Sequence, residues 1–167
     1  MRGEVKLRLA IGADAPGLAA MSRDLVESGL AWSWLPARIR HHIRAAESVV
    51  LVAQQDTRVV GFAVMRFGVD DAHLDLLAVR PKQRRTGIGR ALLEWLEKSA
   101  LVAGLSVVYL EVRAGNATAL TFYEALGYRR VQRLPGYYQG RESAVRMARD
   151  LWCPAPSNAT GKSPGTR

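Results

Sequence analysis

The stretch Arg84-Arg85-Thr86-Gly87-Ile88-Gly89 decides how this chain is read. It follows an apolar strand-like run, Leu74 to Val79, and opens an amphipathic helix predicted from Ile88 to Ala103. Two glycines two apart let the backbone turn tightly with its N–H groups pointing outward. The helix N-terminus adds a partial positive charge, and Arg84, Arg85 and Arg90 add full ones. Strand, loop and helix together suit a pyrophosphate. The pattern is R-x-x-G-x-G. It lacks the first glycine of the dinucleotide fingerprint and the Gly-Lys-Ser/Thr of a Walker loop.

The chain has 167 residues, 49% of them hydrophobic, which suits one domain with a substantial core. Residues 1–153 are expected to form that domain, and the Pro-, Ser- and Gly-rich residues 154–167 a disordered tail. No apolar run approaches the ~20 residues of a membrane span, and the N-terminus lacks a secretory apolar region. A single cysteine, Cys153, excludes an internal disulfide framework and a cysteine-rich metal site. The expectation is a cytoplasmic protein with no metal and no membrane partner.

The net charge is +9. Part of it is clustered: Arg80, Lys82, Arg84, Arg85 and Arg90 surround the glycine loop, as a ligand with several phosphates requires. A second group, Arg38, Arg40, His41, His42 and Arg44, falls on an early helix and reads as a solvated face.

Outward from the loop, the periodicities predict an ordered series. Val5 to Leu9 is a strand. Asp14 can cap a helix from Ala15 to Ser28, ended by Gly29. An aromatic linker, Ala31-Trp32-Ser33-Trp34-Leu35, leads to a helix from Pro36 to Ala46. Strands follow at Ser48–Gln54, Arg58–Phe67 and Ala72–Val79. The helix after the loop presents Ile88, Leu92, Trp95, Leu96 and Ser99 to Ala103. Ser106–Val112 is a strand parallel to the one before that helix, by a right-handed crossover. Asn116 caps a helix from Ala117 to Leu126, and strands Tyr128–Leu134 and Ser143–Asp150 close the chain around a Pro-Gly loop. The order β-α-α-β-β-β-α-β-α-β-β implies an α/β fold, a mixed sheet with helices on both faces.

Glu111 lies near the end of the Ser106–Val112 strand, and Tyr123 lies twelve residues on, with Asn116 between them. A strand end followed by a helix folding back brings the two side chains toward one crevice, and ligands bind at the carboxyl ends of parallel strands. Taken singly, Glu111 reads as exposed or paired with Arg113, Tyr123 as core and Asn116 as a cap.

Taken together, the motifs carry a resemblance. R-x-x-G-x-G after a fourth strand looks like the coenzyme A loop of the GNAT acyltransferase superfamily. Leu-Glu-Val-Arg-x-x-Asn-x-x-Ala-x-x-x-Tyr-x-x-x-Gly-Tyr resembles the bacterial ribosomal-protein-alanine N-acetyltransferases within it. The resemblance covers about residues 5–150 and implies the GNAT fold and acetyl-CoA as co-substrate. It implies Glu111 as base and Tyr123 as acid. The coenzyme contacts it implies are Leu77, Ala78, Val79, Arg84, Arg85, Thr86, Gly87, Ile88, Gly89, Arg90, Asn116 and Tyr123. Pro135-Gly136-Tyr137-Tyr138 resembles the tyrosine-bearing loop beside the acceptor, and Ala31-Trp32-Ser33 resembles the family's Pro-Trp-Ser. Trp32, Trp34, Tyr137 and Tyr138 are thereby candidate acceptor contacts, while Trp32 and Trp34 taken singly read as packing under a loop. The linker departs from the pattern, with Ala31 in place of a proline and Trp34 and Pro36 added.

Acetyl transfer from a thioester to an amine needs a base for the amine, polarisation of the carbonyl and a proton for the leaving thiolate. Glu111, the backbone N–H groups at the end of the Leu74–Val79 strand and Tyr123 are suited to these. A protein N-terminus is the expected acceptor, in a monomer or homodimer. A small amine, an aminoacyl-tRNA or, outside catalysis, an RNA or ribosome contact through the basic surface remain alternatives.

Overall fold

The computed structural model describes residues 3–153. Among these residues seven strands and four α-helices follow one another as β1 (Val5–Leu9), α1 (Ala15–Leu25), α2 (Pro36–Arg44), β2 (Ser48–Gln55), β3 (Arg58–Phe67), β4 (Ala72–Val79), α3 (Ile88–Val102), β5 (Val107–Arg113), α4 (Ala117–Ala125), β6 (Arg129–Tyr138) and β7 (Glu142–Asp150). They form one mixed sheet of order β1-β2-β3-β4-β5-β7-β6; the element order along the chain and the α/β class are those expected. Among the described residues no helix is long and apolar enough to cross a membrane. The expected tail from Pro154 lies outside the described residues.

Because strand side chains alternate between faces, β2 and β3 supply two cores at once. On one face Leu51, Ala63 and Met65 pack with Leu92, Leu96 and Leu110. On the other, Val52, Phe62 and Val64 pack with Leu18, Ala19 and Ile39 of α1 and α2. β4 changes faces midway. Its register against β3 slips after Leu74, leaving Asp75 as an unpaired bulge residue. Before the bulge, Ala72 and Leu74 join the α3 side; after it, Leu76 and Ala78 join the α1–α2 side.

The parallel pairing of β4 and β5 is confined to Ala72 opposite Val108 and His73 opposite Tyr109. Beyond these the two strands part. The edge of β4 from Leu74 to Val79 that faces β5 is therefore free of strand partners, and the gap forms a crevice.

Several local expectations are corrected. α1 stops at Leu25 because Glu27 turns inward, 7% exposed, and takes hydrogen bonds from Ser22 and from the linker backbone. Asp14 does not cap α1 with its side chain; its carboxylate binds Arg8 and the Ile11 N–H. On α3 the buried face is Ile88, Leu92, Leu93, Leu96, Glu97 and Ala100, while Trp95, Leu101 and Val102 are exposed. At 100° per residue the six buried positions share one half of the helix circumference, and 95, 101 and 102 fall on the other half. Pro135-Gly136 is not the closing loop. β6 runs on to Tyr138, which pairs with Glu142, and absorbs Pro135-Gly136 as an irregularity. The turn falls instead on Gln139 and Gly140, both at positive φ. His42 does not belong to a solvated face: it is buried and bonds Ser48 Oγ at 2.9 Å, and burial lowers its pKa.

Candidate active site

The crevice between β4 and β5 is lined by Leu25 and Val26 of the α1 end, Leu74–Leu77 of β4, Leu110–Arg113 of β5, Asn116, Ala119 and Tyr123 of α4, and Tyr138 of β6. Glu111, Tyr123 and Asn116 thus meet at one opening, as their spacing suggested. Asn116 caps α4 through Oδ1, which accepts from Ala119 N–H at 3.1 Å.

At one end of β4 stands the glycine loop. Arg85 has φ of 62° and Gly87 has φ of 85°, so two left-handed residues bend it. The N-cap position of α3 is Gly87, with no side-chain cap. The first helix bond there runs from Ala91 N–H to Gly87 O. The amides of Ile88, Gly89 and Arg90 precede any possible intrahelical partner. They remain available to an anion, beside Arg84 and Arg85. Arg90 is engaged with Glu94 at 2.8 Å, in an exposed pair that releases it cheaply. Thr86 closes the loop through a bond to Gln83 O. Gly89 has a second role: a Cβ there would sit 3.3 Å from the Phe122 ring, so its bareness also lets α4 pack against α3.

Tyr123 is 9% exposed and stacks edge-on to Phe122 and Tyr128. Burial pushes its hydroxyl pKa well above the ordinary range, so the group stays protonated, as a proton donor must. Tyr138, also lining the crevice, is raised by burial too.

Glu111 has partners that the sequence reading did not identify. Its Oε2 meets His73 Nε2 at 2.5 Å and its Oε1 accepts from Arg146 Nε at 2.9 Å. Arg113, the partner expected from proximity, instead donates to the backbone oxygens of Val26 and Ser28. His73 Nδ1 meets Asp75, and Arg66 grips Asp75 with two bonds of 2.6 and 2.8 Å. Burial opposes charge on Glu111 and raises its pKa, but His73 and then Arg146 outweigh that and hold it below the usual carboxylate range. Burial likewise opposes charge on His73, yet hydrogen bonds to Asp75 and Glu111 push it up to about 9. Asp75 sits at the bulge, which is what lets His73 and Asp75 address the same place. Two polar side chains at alternate positions of an otherwise apolar strand were the signal for them.

The acceptor-side candidates divide. Tyr137 and Tyr138 stand ring edge to ring at 5.0 Å beside the crevice, and Tyr137 also borders an open groove of about 770 Å³ with His73, Glu111 and Arg146. Trp32 is at the surface, with its indole N–H on Ala19 O and Arg23 above it. Trp34 is 7% exposed, packed in the α1–α2 core under Arg38 at 3.9 Å and beside His42. It holds the linker down and has little surface left for an acceptor.

Known proteins resemble this chain in sequence and in fold. The chain is 40% identical over 97 residues to the ribosomal protein bS18-alanine N-acetyltransferase of Escherichia coli (strain K12), a match spanning 56% of this chain and 66% of that enzyme. It is 35% identical over 123 residues to an N-alpha-acetyltransferase of Sulfurisphaera tokodaii, spanning 66% of this chain and 74% of that one. The solved ribosomal-protein-S18-alanine N-acetyltransferase from Escherichia coli superposes with a TM-score of 0.77 at 27% identity, over 95% of this chain and 99% of the other. Ard1 from Thermoplasma volcanium superposes at 0.78 with 26% identity, over 88% and 97%. Residues 19–128, well over half of the chain, match the Acetyltransferase (GNAT) family, and the protein belongs to that family.

Proposed function

We propose that the protein transfers an acetyl group from acetyl-CoA to a primary amine, and that the amine is the α-amino group of a protein N-terminus. The observation that carries this is the parting of β4 from β5. It leaves an unpaired strand edge running from an open helix N-terminus to the crevice that Tyr123 and Glu111 both line. The chemistry of that track fits the co-substrate. The amides of Ile88 and Gly89, with Arg84 and Arg85, suit the pyrophosphate. The free edge at Leu77, Ala78 and Val79 suits the amide-bearing arm and the thioester oxygen. Asn116 stands at the crevice wall.

The chain's own groups then divide the work. The Tyr123 hydroxyl, kept protonated by burial, gives its proton to the departing sulfur. Glu111 accepts a hydrogen bond from the incoming nitrogen and takes its proton as the N–C bond forms, when that nitrogen becomes more acidic. His73 and Arg146 hold the carboxylate ionised and oriented. Tyr137 and Tyr138 flank the incoming chain end. Both buried carboxylates of this cluster, Glu111 and Asp75, are already paired with cations. That weighs against a polyamine, whose second charge needs a free acid. The activities for which the relatives are named, on the alanine of a ribosomal protein and on α-amines, support the peptide reading. Mass spectrometry of a peptide panel incubated with acetyl-CoA tests it. Acetyl on the first residue's nitrogen is expected, and acetyl confined to internal lysines or polyamines overturns it.

A further inference from the structure

Two hydrogen bonds outside the groups just described join the two walls of the acceptor side. Gln139, in the β6–β7 turn, accepts from Ala31 N–H at 3.0 Å through Oε1 and donates to Ala31 O at 3.0 Å through Nε2. One side-chain amide thus satisfies both backbone groups of one linker residue. A residue of a neighbouring antiparallel strand makes the same pair of bonds.

The linker is held from behind. Glu27 Oε1 accepts from the Ser33 N–H at 2.7 Å and from the Trp34 N–H at 3.3 Å, and Trp34 is buried below. What the linker offers outward at Ala31 is a backbone edge, and Gln139 covers it. Gln139 reaches it from a φ of 56°, a left-handed conformation that residues other than glycine and asparagine seldom hold. The bond from the linker N–H exists because residue 31 is alanine; a proline at that place has no N–H to give. Both bonds are exposed and between neutral groups, the kind that water or another backbone replaces readily. The walls do not depend on them alone. Arg113 donates to Val26 O at 2.8 Å and to Ser28 O at 2.7 Å from the other side of the crevice.

We infer that Gln139 is a displaceable strap over the acceptor path. It occupies the backbone edge of Ala31 on which an extended peptide docks, and the peptide's own N–H and C=O take its place. Arg113 keeps the walls in position while the strap is open. The inference rests on the reading of a peptide N-terminus as acceptor. It makes Gln139 and Ala31 determinants of how an acceptor longer than one residue is bound. An acceptor that ends after its first residue has no backbone to exchange with the strap.

The test compares wild type with Gln139→Gly, which keeps a residue at ease at positive φ and removes the amide, and with Ala31→Pro, which removes the N–H and fixes φ there. Acceptors are a six-residue peptide with a free N-terminal alanine and the single-residue amide of alanine. The expected result is a fall in KM for the peptide of about three- to tenfold in Gln139→Gly, as one or two weak bonds no longer need breaking. A smaller fall is expected in Ala31→Pro, with kcat unchanged and KM for the alanine amide unchanged. In wild type, the side-chain amide NMR signals of Gln139 shift toward those of a free amide when the peptide is added with coenzyme A. Unchanged peptide KM in Gln139→Gly together with unshifted Gln139 signals overturns the strap, and so does a rise in peptide KM, which marks a fixed wall. If wild type acetylates neither acceptor, the peptide-acceptor reading itself falls, before any variant is compared, and the strap falls with it.

Discussion

His73 Nε2 lies 2.5 Å from Glu111 Oε2, two residues along β5 from Tyr109, the last register partner of β4 before the strands part. The contact places a histidine with a raised pKa and a carboxylate with a lowered one at the apex of the crevice. The two charges hold each other, and Asp75 and Arg146 hold them from the far sides.

The pH dependence follows from the signs. Glu111 sits below its ordinary value, so it is ionised throughout neutral pH, and its share of stability is lost only as pH falls through that lowered value. His73 sits above its ordinary value. Its share is fully present below about 6.5, its value when unfolded, and is lost as pH rises through about 9. A His73→Gln variant should therefore be less stable than wild type at pH 6, with the difference closing above pH ~9. Thermal unfolding across pH measures this, and a gap that widens toward alkaline pH contradicts the pairing. In catalysis, Glu111→Gln should cut turnover roughly 10²–10⁴-fold at neutral pH, with partial recovery as the amine deprotonates itself. Wild-type turnover at every pH excludes Glu111 as the base.

Tyr123→Phe removes the hydroxyl proposed as proton donor without emptying the crevice. Turnover should fall while the Kd for acetyl-CoA, read by calorimetry, changes little. Because burial pushes the hydroxyl pKa far up, the wild-type rate profile should show no tyrosine titration within the usable range. A larger effect on coenzyme affinity than on turnover reassigns Tyr123 to packing.

The two loop glycines should separate. A Cβ at Gly87 meets nothing within 4 Å, but its φ of 85° strains any L residue. Gly87→Ala should weaken acetyl-CoA and cost about 1–2 kcal/mol of stability through backbone strain. Gly89→Val should lose at least about tenfold in acetyl-CoA affinity, ~1.4 kcal/mol. It should also lose stability, because its side chain meets Phe122 and Val79. Unchanged affinity in both variants removes the loop from coenzyme binding.

The core holds one charged cluster remote from the crevice. Glu97, 5% exposed, takes Arg149 Nη1 at 2.6 Å and the Tyr128 hydroxyl at 3.2 Å, while Arg149 Nε is buried without a partner. Removing one partner leaves the other charge buried. Arg149→Met should cost about 3–5 kcal/mol in urea unfolding, and the double replacement Glu97→Leu with Arg149→Met much less. Equal losses in the two variants mean that the pair is not coupled.

The element order was legible because glycines and periodicity mark it: Gly104 and Gly127 sit at positive φ just past helices that the apolar spacing had outlined. Glu111, Tyr123 and Asn116 were legible because a strand, a turn and a helix carry them within thirteen residues. His73, Asp75 and Arg146 were not. Arg146 reaches Glu111 from a strand 35 residues away, and the His73–Asp75 placement depends on a bulge that no local pattern announces. Trp34 could be read either as packing or as an acceptor wall, because the helices that pack over it are not visible in a linker's own sequence.

The acceptor is where these features meet chemistry. An α-amine of pKa about 7.7–8.0 is about 10–20% neutral at pH 7, while a lysine of pKa about 10.4 is neutral to only about 0.04%. Glu111, held low by His73 and Arg146, is a weak base. It suits an amine that arrives partly neutral and sheds its proton during bond formation, and it suits lysine poorly. The crevice mouth adds selection by shape, since Tyr137 and Tyr138 stand edge to face at 5.0 Å beside the path. Tyr138 also approaches Arg113, which bridges to the end of α1. Tyr138→Ala should therefore raise the peptide KM more than it lowers kcat. With pH increasing from 7 to 8, kcat/KM for a peptide N-terminus should rise several-fold as the neutral fraction grows. The same enzyme given an N-terminally blocked peptide with an internal lysine should yield no product. Acetylation of that lysine at a comparable rate, or a kcat/KM for the free N-terminus that ignores pH between 7 and 8, is the result that contradicts this account.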